Sequence, residues 1–91
     1  MKYEHRKDVI LEKVDGIYVL AALRPAWKDC PLAMQIIPVY AEIWNGLNEK
    51  EENDIILELQ KSHGFSREKA ELVFSRFIEA AMKYNYVFVK E

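Results

Sequence analysis

Several residue types are scarce in this chain, and each scarcity excludes a class of function. There is one cysteine, Cys30, so no disulfide can form within the chain, which fits a reducing compartment. The two histidines, His5 and His63, stand far from each other and from Cys30, without the spacing of a metal cluster. The three glycines, Gly16, Gly46 and Gly64, are too dispersed to build a phosphate-cradling loop. No apolar run approaches the ~20 residues needed to span a bilayer. The start, Met1-Lys2-Tyr3-Glu4-His5-Arg6-Lys7-Asp8, is charged and lacks the apolar stretch of a signal peptide. Basic charge is not in excess either: 13 Lys and Arg against 15 Asp and Glu give a net charge of −2. A dedicated nucleic-acid binder usually carries a basic face that releases counterions from phosphates.

No nucleophile–base pair or carboxylate dyad stands out. Glu49, Glu51, Glu52 and Asp54 read as a solvated cluster that caps a helix, not as an acid–base site. The expectation is a soluble cytoplasmic protein that is not an enzyme, uses no cofactor and no metal, and contacts neither membrane nor nucleic acid.

What is present is ample apolar material for one core. Hydrophobic residues make up 51% of the 91 residues, with five Tyr, four Phe and two Trp, which argues against disorder. The whole chain, 1–91, reads as a single domain.

The clearest local signal is Asp15-Gly16 between two alternating runs, which predicts a type I′ hairpin of strands at about 9–14 and 17–22. Residues 23–32, with Pro25, Trp27, Cys30 and Pro31, read as a loop with room for a short strand around Trp27. Met34-Gln35-Ile36-Ile37 reads as a third strand, ended by Pro38. Pro38 suits the first position of a helix that runs to about Asn45, with Gly46 as its stop. Asn48-Glu49-Lys50-Glu51 has the form of a capping box for a second helix that ends before Gly64. Ser66 caps a third helix that runs to about Tyr84. Around that helix Ala70, Val73, Phe74, Phe77, Ala80, Ala81 and Tyr84 share a face, and Ile78 and Met82 widen it to an arc of roughly 200°. Val87-Phe88-Val89 forms a last strand or covers the core. The predicted class is α+β, a three-stranded antiparallel sheet followed by three helices, with a winged-helix-like order.

Three stretches carry a family resemblance: Gly16-Ile17-Tyr18-Val19-Leu20 after the first strand; Met34-Gln35-Ile36-Ile37 leading to a short helix with Ile43-Trp44, then Gly46-Leu47; and the last helix, entered by Gly64-Phe65-Ser66. In order and spacing, over about residues 9–86, the chain resembles the PqqD-like domains, also called RiPP recognition elements. It departs from them at Ile37-Pro38-Val39 and at Tyr84-Asn85-Tyr86-Val87. The resemblance implies a domain that takes the leader of a ribosomally made precursor peptide as an added strand, between its third strand and last helix. It would then present that peptide to a modifying enzyme, such as a radical SAM maturase.

On that basis Met34, Gln35, Ile36, Ile37, Phe74, Ile78 and Met82 are the candidate peptide-binding residues. Ile78 and Met82 are weighed evenly against packing on the amino-terminal strands or on Val87-Phe88. In the strand, Gln35 and Ile37 are taken as the core-facing pair. The alternative function is a winged-helix DNA-binding transcription regulator, against which Arg67, Lys69, Arg76 and Lys83 are offset by Glu68, Glu71 and Glu79, so that no basic stripe forms. A third option is a homodimer or other partner-docking module that pairs edge strands.

Overall fold

The computed structural model describes residues 2–90. Five strands and three helices follow in order: β1 (Lys2–His5), β2 (Val9–Val14), β3 (Ile17–Ala22), β4 (Ala33–Ile36), α1 (Pro38–Gly46), α2 (Glu52–His63), α3 (Arg67–Lys83) and β5 (Val87–Lys90). The antiparallel sheet β2-β3-β4 is the three-stranded sheet expected, followed by the three expected helices. The third expected strand is therefore the fourth of the chain. Asp15 (φ 51°) and Gly16 (φ 79°) form the hairpin turn, and Val14 stands opposite Ile17. Two successive positive φ values match the right-handed twist of the flanking strands, which is why Asp-Gly marks this turn.

The ends of the chain form a second, two-stranded ribbon. β1 pairs antiparallel with β5, with Tyr3 opposite Val89 and His5 opposite Val87. The charged amino-terminus had given no strand signal in sequence: Lys2 and Glu4 alternate with Tyr3 and His5 over only four residues. The ribbon lies on α3, where the ring of Tyr3 is 5.8 Å from that of Phe74.

One face of the sheet, with Val9, Leu20, Ala22 and Ile36, joins the core. The helices close it with Ile43, Trp44, Ile55, Ile56, Leu59, Phe74, Phe77, Ile78 and Ala81. Pro38 opens α1 as expected. Ser66 caps α3, its Oγ accepting from the Lys69 N–H at 3.1 Å. Gly64 (φ 67°) ends α2 in the left-handed conformation that favours glycine.

Two local expectations are corrected. There is no capping box at Asn48: residues 47–50 turn back through Glu49 and Lys50 N–H groups bonded to the Gly46 carbonyl, and α2 starts only at Glu52. Asn48 Oδ1 accepts instead from the backbone N–H of His5, at 2.8 Å. Around Trp27 there is no strand but one 3₁₀ turn, Ala26–Lys28. The Trp27 indole N–H donates to the Ala22 carbonyl at 2.6 Å.

Candidate functional site

The open side of β4 follows from the ladder. Ala22 N–H donates to the Leu32 carbonyl, and the register continues as Ala21–Ala33, Leu20–Met34, Val19–Gln35 and Tyr18–Ile36. Hydrogen-bonded and non-bonded pairs alternate in an antiparallel ladder. Met34 and Ile36 therefore spend their backbone groups on β3, while those of Ala33 and Gln35 point away from it. Among the described residues no strand pairs with that side. The opposite edge, β2, carries the exposed charges Glu12 and Lys13, the usual guard against unwanted pairing. β4 has no charge at all.

Side-chain direction in β4 corrects the expected face. Ile36 is buried and Met34 half-buried against the core, whereas Gln35 and Ile37 are exposed, Ile37 by 53%. The reason lies in register: Met34 and Ile36 stand opposite Leu20 and Tyr18, whose side chains already point into the domain. Sequence alone gave an alternating run with two apolar residues on one face and one on the other, but no partner to set the phase.

Where β4 gives way to α1, a cleft of about 500 Å³ opens between this corner and α3. Ile37, Val39 and Tyr40 form one wall; Ser66, Glu68, Lys69, Leu72, Val73 and Arg76 form the other. Tyr40 is anchored behind the first wall, its ring 5.0 Å from that of the buried Phe77. Of the seven candidate residues only Ile37 lines this cleft. Phe74 (2% exposed) and Ile78 (5% exposed) belong to the core, Phe74 beneath Tyr3 of the ribbon. Tyr3 covers Phe74, and Ile78 is buried as well, so neither offers an open shelf. Met82 is 39% exposed but is not among the residues of the cleft.

Sequence reasoning missed Val39, Tyr40, Leu72 and Val73. Leu72 offered a signal, an apolar residue off the core arc with Lys69 and Arg76 as helical neighbours at i−3 and i+4.

The titratable groups elsewhere are structural. Burial pushes the Cys30 thiol up, and its Sγ lies 3.4 Å from the Asn85 carbonyl, so the nucleophilic thiolate is disfavoured. Tyr86, also raised by burial, donates to the Pro31 carbonyl at 2.7 Å. Arg6 forks onto Asp8 at 2.8 and 2.9 Å, which holds that carboxyl below its usual range, and reaches Asp29 at 3.3 Å. His63 pairs with Glu42 across α1 and α2 and stacks on Phe65. Among the described residues no group of three or more His, Cys, Asp or Glu is placed to hold a metal ion. Among the described residues no helix is long and apolar enough to cross a membrane.

No protein-family model matches this sequence, and none of the curated proteins does. The fold does have a solved counterpart. The chain is similar to TbiB1, determined in complex with the TbiA(beta) leader peptide, with a TM-score of 0.75 at 18% identity, over 97% of this chain and 98% of that one. The likeness covers nearly all of both chains, and at this identity it is a likeness of fold.

Proposed function

We propose that this protein binds the leader segment of a ribosomally made precursor peptide as an added strand on β4, and presents it to a modifying enzyme. One observation carries the reading: among the described residues no strand pairs with the outward backbone groups of Ala33 and Gln35, on an edge without charge, beside a cleft with an apolar centre. An added strand would gain affinity from those groups and selectivity from the pocket walls. The edge leads into the cleft at Ile37, so a guest strand would run on between Val39 and Tyr40 on one side and Leu72 and Val73 on the other. Support also comes from the fold shared with TbiB1, which was determined with a leader peptide bound. In this reading the chain carries its guest, and the chemistry belongs to a partner.

The test is a titration of labelled leader peptides encoded near this gene. Saturable binding is expected, and it should be lost in Gln35→Pro. That substitution removes the outward N–H, while the bonds to β3 belong to Met34 and Ile36. If no neighbouring peptide gives saturable binding, the reading fails.

A further inference from the structure

We infer that the cleft selects a guest with acidic side chains on either side of an apolar one. This rests on the reading of the cleft as a peptide groove. At 100° per residue, Lys69, Leu72, Val73 and Arg76 fall within one stripe of α3 about 100° wide. The two cations mark its ends, and the apolar pair lies between them. Both cations are exposed, and among the described residues neither forms an ion pair. Lys69 rests over the Phe65 ring, 5.2 Å from its centroid.

Lys83 falls in the same stripe two turns beyond Arg76, outside the cleft and over the Tyr84 ring at 5.6 Å. Arg67 is engaged with Glu71, at 3.7 Å, and with Asn53, at 2.6 Å. Glu68 lines the cleft too, but as the residue before Lys69 it is turned about 100° away on the helix. Glu79 is turned away by about 60° from Arg76. The cancelling count of charges along the helix therefore conceals a segregation. The facing wall, Ile37, Val39 and Tyr40, carries no charge.

Spacing fixes the pattern of the guest. Seven helical residues at ~1.5 Å each separate Lys69 from Arg76 by about 10 Å along the axis. An extended chain at ~3.4 Å per residue covers that in about three residues. Alternate side chains of an extended chain share a face, so the complementary segment carries Asp or Glu four positions apart, about 14 Å, a span the long Lys69 and Arg76 side chains can meet, with an aliphatic or aromatic residue at the middle position to face Leu72 and Val73. A nucleic acid would also present regular negative charge, but it would leave the apolar pair Leu72 and Val73 unused.

Three fluorescein-labelled peptides with one strand-forming apolar background test this, with Glu, Gln or Lys at two positions four apart. The Glu peptide should bind about three- to tenfold more tightly than the Gln peptide at low salt, as expected of two exposed ion pairs. The Lys peptide should bind least, and the differences should shrink at high salt. The double variant Lys69→Glu with Arg76→Glu should reverse the order, and Lys69→Gln with Arg76→Gln should erase it. Equal binding of all three peptides overturns the charge selection and leaves the peptide groove standing. No saturable binding by any of them removes both. Tight salt-dependent binding of a DNA duplex that is lost in the same variants would assign the cations to nucleic acid and overturn the inference.

Discussion

The imidazole of His5 lies flat on the indole of Trp44, with ring centroids 4.0 Å apart and planes 13° from parallel. This contact ties the ribbon to α1, and the His5 backbone is tied again through Asn48. Burial holds the His5 pKa below its ordinary value, outweighing the upward pull of the Arg6 carbonyl and Glu4. In the unfolded chain the imidazole takes up a proton near pH 6.5, whereas in the folded chain it resists until lower pH. Between those two values the unfolded state binds more protons, so stability declines as pH falls. Melting temperatures measured from pH 8 down to pH 5 should therefore drop more steeply in the native chain than in His5→Phe, which keeps an aromatic stack without a titrating group. Parallel curves would show that His5 is not the acid-sensitive joint.

Ile78 and Met82 are neighbours on α3 with opposite fates. Ile78→Asp places a carboxylate where no buried cation awaits it. The penalty is on the order of 3–5 kcal/mol, a large part of the stability of a domain this size. Loss of the cooperative unfolding transition is the expected result. Met82→Glu, at a position 39% exposed, should change the unfolding free energy read from a urea titration by no more than about 0.5 kcal/mol. If both variants fold equally well, Ile78 is not the core residue its burial indicates.

That contrast shows what the sequence could and could not reveal. The hairpin at Asp15-Gly16, the proline start of α1, the Ser66 cap and the Gly64 stop are set by chemistry within a few residues, and each was legible. The phase of β4 depends on Leu20 and Tyr18 across the ladder, and the covering of Phe74 depends on Tyr3, some seventy positions away. Neither leaves a local trace. Asn48 carried a proper capping pattern, yet a distant strand took its side chain. The candidate strand is an edge of its sheet, but of the α3 candidates Phe74 and Ile78 lie in the core and Met82 is exposed away from the cleft.

Ser66 tests how much of α3 rests on local chemistry. Its hydroxyl satisfies the Lys69 N–H, and the position is exposed, so little else is lost on truncation. Ser66→Ala should cost about 1 kcal/mol, and Ser66→Asp should restore most of it, since Asp serves as well at a helix start. Denaturant unfolding of the three chains would check both directions. A neutral Ser66→Ala would mean that water or a neighbour satisfies the N–H.

Gly16 tests the turn that sets the register of the sheet. Its φ of 79° lies in the left-handed region, and nothing stands within 4 Å of the place a Cβ would occupy. The strain in Gly16→Ala is thus purely a matter of backbone conformation, about 1–2 kcal/mol. Because β4 is aligned through β3 and β3 through this turn, the same substitution should loosen the edge at Ala33 and Gln35. Hydrogen exchange would show it as faster exchange at Leu20 and Ala22, whose N–H groups point toward β4 by the alternation of the ladder. Faster exchange confined to residues 14–17 would mean that β4 holds its register through Ile36 and the core without help from the turn.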